Sequence, residues 1–244
     1  MSARTALHVW PHYTAQDLID FVRRLWTVGA FKLDLMHEFE LHRHRCDPHA
    51  LRSPIYFNLR TQDNPGKSGP LTYQDIYTLA GFFRDYVDAH DIPYDGVLGV
   101  PNAGMAIAKA FAGLLEERGR VVPLLTFDKE HGVLHNPYQL APNSRVLVLD
   151  DVISDGGSKI RPIQTVREHG FVVEHCLVCI DREQGGDETL SNMEPPVKLS
   201  RIIIAMSALL ILKSGQYINA EEFEMVAVRQ RAVTTYCTNN KLRV

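Results

Sequence analysis

The chain has few cysteines, four in 244 residues, and no long apolar run. Its longest hydrophobic stretch, around Ile202–Leu212, is broken by Ser207 and stopped by Lys213, short of a membrane span. No Lys/Arg-rich tract is present, and the net charge of −3 argues against a nucleic-acid tail. The segment MSARTALHVWPHYTAQ has no apolar core and meets Pro11 early, so no signal peptide is expected and the cytoplasm is the expected compartment. With no export signal, the cysteines imply no disulfide framework. Cys176 and Cys179 form a CxxC, but on a strand residues three apart face opposite ways, so the two thiols are expected not to meet. No GxGxxG occurs, which removes the dinucleotide fingerprint. Gly99–Gly104 has the glycine spacing of a Walker loop, but Met105 and Ala106 stand where Lys and Ser/Thr are required.

What is present is an alternation of short apolar runs with amphipathic segments. Helices are expected over 14–28, with Thr14 as cap, and over 72–90, with Thr72 as cap. Between them, 33–60 reads as irregular or strand-like and 61–71 as a loop. From Asp95 the rhythm becomes regular. Strands are expected at Asp95–Val100, Val121–Thr126, Arg145–Leu149, Val172–Ile180 and Ile202–Ala208. Helices are expected at Met105–Arg118, Gly157–Gly170 and Ala220–Arg231, with a long polar loop over Asp128–Asn143. This pattern predicts an α/β fold with a parallel sheet flanked by helices. Ligands then bind beyond the carboxyl ends of the strands.

One such end carries chemistry. In VLVLDDVISDGGSK, Val146–Lys159, a buried strand leads to Asp150 and Asp151, then to a small-residue turn and a helix. Adjacent carboxylates repel unless a cation or a ligand's hydroxyls lie between them. Amides of a Gly-rich turn at a helix N-terminus favour phosphate, and Ser154 and Ser158 add hydroxyls. Asp155 is the exception, since its carboxylate opposes phosphate unless it turns away. Acids beside an anion cradle suit a sugar phosphate.

This stretch resembles the phosphoribosyl-pyrophosphate signature of the type I phosphoribosyltransferases. Within that superfamily the chain resembles the orotate phosphoribosyltransferase family over most of its length. The resemblance extends to SPIYFNLR (Ser53–Arg60), GVPNAGMAIA (Gly99–Ala108), DKEHG (Asp128–Gly132) and IDREQGG (Ile180–Gly186). It implies a five-stranded parallel core over 72–244 with a small N-terminal hood over 1–71, as a single domain. It implies that Asp150 and Asp151 hold the ribose hydroxyls, and that Ser154, Asp155, Gly156, Gly157 and Ser158 surround the 5-phosphate. Asn102, Ala103 and Gly104 would offer backbone to the pyrophosphate. Arg182 would pair with the orotate carboxylate, a pairing for which a planar guanidinium is suited, and Tyr56 and Phe57 would stack on the base. Lys129 and His131, with Asp151, form the implied catalytic set, the loop coming from the partner of a homodimer. Mg²⁺ is implied, bound mainly through the substrate near Asp150 and Asp151. The implied activity is phosphoribosyl transfer from phosphoribosyl pyrophosphate to orotate in pyrimidine biosynthesis.

Three departures bear on that reading. Leu125 and Thr126 stand where the family usually carries Arg-Lys, and His42 follows Phe39-Glu40-Leu41 where a Lys is usual. An insertion, His42–Arg52, contributes to a tract with His37, His42, His44, Cys46 and His49, though no metal spacing is diagnostic. Transfer onto another base, or a sensor on the same fold that turns over poorly, are the alternatives.

Overall fold

The structure is a computed structural model and describes residues 12–36, 39–40, 44 and 47–240. Helix α1, Ala15–Thr27, and α2, Tyr73–Ala89, begin at the two threonines expected. Each is closed by a reciprocal capping box, Thr14 with Asp17 and Thr72 with Asp75, which satisfies donors that a helix start otherwise leaves open. Between them β1, Phe31–Leu33, and β2, Ile55–Phe57, pair antiparallel.

The main sheet is built from β3, Gly96–Gly99; β4, Leu124–Asp128; β5, Val133–His135; β6, Val146–Ile153; β7, His175–Asp181; and β8, Lys198–Ile204. Their spatial order is β5-β4-β3-β6-β7-β8. The five strands β4 to β8 in that order, β5 apart, are parallel, as expected. The sixth, β5, is antiparallel on β4 and lies inside the segment expected to be a long loop. The correction has a local cause: Asp128 accepts the N–H groups of Glu130 and His131, closing a tight turn that folds Leu134 back into the core.

The remaining helices are α3, Ala103–Glu116; α4, Gly157–Glu168; α5, Gly186–Ser191; α6, Ala205–Ser214; and α7, Ala220–Asn239. The expected last strand Ile202–Ala208 is corrected to the end of β8 followed by α6. Ala205, Ala208, Leu209 and Leu212 are buried at helical spacing, a period hidden in an all-apolar run. α5 was not expected, and α7 runs eight residues past its expected end at Arg231.

Two cores cover the two sheet faces. One joins α1, β1–β2, α2, α3, α6 and α7 to Leu147, Leu149 and Leu177. The other joins α4 and α5, through Ile163, Val166 and Leu190, to Val146, Val148 and Val178. Cys176 lies in the second and Cys179 in the first, so the CxxC thiols do face apart. Burial pushes both thiols up, that of Cys176 to about 12.

Candidate active site

The chain leaves β3 to one side for β4 and returns on its other side as β6. This reversal opens a crevice at the carboxyl ends of β3 and β6, where an open α/β sheet binds ligands. Two turns meet there, Pro101–Gly104 and Ser154–Ser158.

The first turn is drawn tight by glycine. A Cβ on Gly99 would lie 2.5 Å from the Gly104 carbonyl, and one on Gly104 would lie 2.8 Å from Asp150 Oδ1. Only hydrogen at these positions lets α3 start directly beside β6. The first N–H groups of α3, from Ala103 and Gly104, lack intrahelical acceptors and face this region. Asn102 carries the 61–71 loop, since the Asn64 amide donates to its carbonyl.

The second turn enters α4 through Gly156, whose φ of 82° only glycine adopts without strain. The Gly157 N–H donates to Asp155 Oδ1 at 3.1 Å. The Asp155 carboxylate therefore occupies one of the amides expected to hold phosphate. Behind the turn a cavity of about 430 Å³ opens between α4, α5 and the last turn of α7. Its walls hold no Lys or Arg.

The two acids have different surroundings. They lie within β6, not beyond it, and adjacent strand residues point to opposite faces. Asp150 turns toward α4 and is buried, with Oδ2 2.5 Å from Lys159 Nζ. Its Oδ1 accepts the Asp151 N–H at 2.9 Å. Both Asp150 oxygens thus already meet one donor each within the protein, and each keeps a further lone pair. Asp151 is half-buried, accepts the Val152 N–H at 2.8 Å and has no cation of its own. Burial, then the Asp150 charge, push its carboxyl up to about 7. Lys159 was missed from sequence. Its only signal was a lysine on the inward side of the first turn of α4.

Arg182 follows β7 directly and is 4% exposed. Its Nη2 donates to Ser53 Oγ at 2.6 Å and to the Ile55 carbonyl at 2.8 Å, while Nε has no acceptor. Desolvation pushes the guanidinium down to about 10. The alternation of β2 separates the two aromatics beside it. Phe57 packs on Phe31 with ring centroids 4.5 Å apart and is buried, which removes it as a stacking surface. Tyr56 faces the other way and stays half-exposed.

Lys129 and His131 lie at the tip of the β4–β5 hairpin, both exposed. His131 Nδ1 is 2.7 Å from Asp128 Oδ2, and the His131 backbone N–H, then its ring, hold the Asp128 carboxyl down at about 2. Gly132 sits against the Arg161 guanidinium of α4. Leu125 is fully buried in the sheet, so a cation at that place would have no water. His37, His42, Arg43, Arg45 and Cys46 lie outside the described residues. Among the described residues no group of three or more His, Cys, Asp or Glu side chains could hold a metal ion. No helix among them is long and apolar enough to cross a membrane.

A strand carrying two acids in its second half, a glycine turn into a helix and a crossing point on a parallel sheet together match a type I phosphoribosyltransferase. Comparisons with known proteins narrow the class. The chain is 30% identical over 161 residues to an orotate phosphoribosyltransferase of Laribacter hongkongensis, covering 64% of this chain and 72% of that one. It is 27% identical over 199 residues to uridine 5'-monophosphate synthase of Caenorhabditis elegans, covering 79% of this chain but only 36% of that longer protein. The crystal structure of an orotate phosphoribosyltransferase from Francisella tularensis superposes with a TM-score of 0.63 at 18% identity, covering 88% of this chain and 98% of that one. No family model matches the chain. The chain belongs to the orotate phosphoribosyltransferase family.

Proposed function

We propose that this protein transfers the 5-phosphoribosyl group from phosphoribosyl pyrophosphate to orotate, giving orotidine 5'-monophosphate and pyrophosphate. The observation that carries the choice of base is Arg182. A guanidinium buried with no carboxylate partner is costly. Its Nε is buried and has no acceptor, and a carboxylate that reached it would supply the missing counter-charge.

In this reading the orotate nitrogen bonds to the anomeric carbon as the bond to pyrophosphate breaks. Positive charge develops on the ribose, and the Asp151 carboxylate lies where the ribose hydroxyls are expected. Negative charge develops on the leaving pyrophosphate, toward which the N–H groups of Ala103 and Gly104 are directed. The α4 N-terminus and the Ser154 and Ser158 hydroxyls take the 5-phosphate. Lys129 and His131, exposed on their hairpin, meet the leaving group of a second copy of the chain, which makes the working form a homodimer. Mg²⁺ fits this donor set in one way only. Asp151, which has no cation of its own, would supply a single carboxylate and the substrate's oxygens would supply the rest. When bound, the metal neutralises charge on the pyrophosphate.

The test is loss of orotate absorbance with purified protein, phosphoribosyl pyrophosphate and Mg²⁺, each omitted in turn. Loss that requires all three supports the reading. Binding of the activated sugar with no orotate loss moves the assignment to another base or to a sensor. Leu125, buried where the family usually carries a cation, is the observation that favours that second reading.

A further inference from the structure

Arg182 is held at its backbone and at the far end of its side chain. Its N–H donates to the Ile153 carbonyl at 3.0 Å, and its carbonyl accepts from Gln230 Nε2 at 3.3 Å. The guanidinium donates through Nη2 to Ser53 Oγ and to the Ile55 carbonyl. Gln230, on α7 and 2% exposed, reaches both ends, because its Oε1 lies 3.4 Å from Ser53 Oγ. The Arg182 carbonyl fixes which way that amide points, since only its nitrogen can donate there. Ser53 is fully buried, and two backbone bonds tie it to Phe39. Segments far apart in the chain thus form one brace around a single arginine.

Every group in the brace is neutral: a hydroxyl, an amide and backbone carbonyls. The side chains that act on the guanidinium charge are Cys237 and Tyr56, and neither is a carboxylate. Glutamate has the size of glutamine and at 230 would stand one hydroxyl away from a buried cation, an electrostatically favourable place for it. The brace instead fixes the guanidinium and leaves its charge unmatched.

We infer that Gln230 and Ser53 are positioning residues that set specificity for an anionic base: they fix Arg182 through neutral contacts alone and so keep its charge for the substrate's carboxylate. This role rests on the proposed function and concerns the base, not the activated sugar.

The experiment measures the KM for orotate and for phosphoribosyl pyrophosphate in the wild type, Gln230→Glu, Gln230→Leu, Ser53→Ala and Tyr236→Phe, with circular dichroism as the check of folding. Gln230→Glu keeps the shape and adds a charge. It is expected to raise the KM for orotate about tenfold or more, with the KM for the sugar unchanged. Gln230→Leu and Ser53→Ala loosen the brace without adding charge, and each is expected to raise the KM for orotate only about threefold. Tyr236→Phe removes a separate tie of α7 to the N-terminal segment, the bond to Asp47 Oδ2 at 3.0 Å, and is expected to leave both KM values at wild type. A rise in both KM values together in Gln230→Glu, or no rise in either, overturns the inference. So does a rise in Gln230→Leu as large as in Gln230→Glu, because charge would then play no part. An orotate-specific rise in Tyr236→Phe equal to that in Gln230→Leu overturns it too, since any loosening of α7 would suffice. If Gln230→Glu does not fold, Gln230→Leu and Ser53→Ala carry the test: an orotate-specific rise supports the inference and wild-type values overturn it. A wild type that consumes no orotate overturns the proposed function instead, and is told apart before any variant is made.

Discussion

At the residue scale, Asp155 is the side chain whose effect runs against expectation for a binding loop. Its carboxylate caps the Gly157 amide and adds negative charge where the 5-phosphate is proposed to bind. Asp155→Ala is expected to tighten binding of phosphoribosyl pyrophosphate several-fold, read as a lower KM. A higher KM would mean that the cap holds the turn in its working shape. Asp151 makes a prediction about stability. Its folded pKa, about 7, lies above the ordinary carboxyl value. The folded state therefore holds the proton more tightly than the unfolded chain. This contribution is fully present below about pH 4 and is lost as pH rises through about 7. Asp151→Asn cannot ionise, so its melting temperature relative to wild type is expected to rise across that window in metal-free buffer. A constant difference would remove the shift. Arg182→Ala is expected to raise the KM for orotate far more than that for the sugar; equal rises would make Arg182 only a tether for Ser53 and Ile55.

At the element scale, the β4–β5 hairpin decides what the missing cations mean. Leu125 points into the core and Thr126 is half-exposed on the other face of β4. Leu125→Lys buries an unpaired charge and is expected to cost more than about 3 kcal/mol, seen as a large fall in urea midpoint. Thr126→Lys is expected to fold normally and to raise turnover, because it adds a cation near Lys129 without entering the core. If Thr126→Lys leaves turnover unchanged, the hairpin's chemistry does not lie on that face. The same alternation explains why Phe57 is buried and Tyr56 is not: β2 has one core face, where Phe57 packs on Phe31.

At the scale of the whole molecule, the N-terminal strands and helix are continuous with the sheet. Phe21, Phe31 and Ile55 share one buried cluster with Leu149 and Leu177. Urea unfolding is therefore expected to be a single transition, with fluorescence of the two tryptophans, Trp10 and the α1 residue Trp26, and far-UV circular dichroism coincident. An earlier fluorescence transition would show the hood folding apart. The sequence alone determined the local features. The caps at Thr14 and Thr72 need only a side chain and the amides three residues on. The buried runs around Val97 and Val148 are strands because their neighbours are turn-formers and their length is too short for a helix. Opposed thiols at Cys176 and Cys179 follow from the period of a strand. Where every residue is apolar, as from Ile202 to Leu212, periodicity carries no signal, so β8 and α6 separated only when packing chose which face of each to bury. Partners distant in sequence were equally hidden. Arg182 meets Ser53 across 129 residues. The surroundings of Asp150 and Asp151 differ because one strand turns them to opposite faces and α4 brings Lys159 against the first. A sequence states which charges exist; which of them are already neutralised is decided by the fold, because an ion pair depends on distance in space and not along the chain.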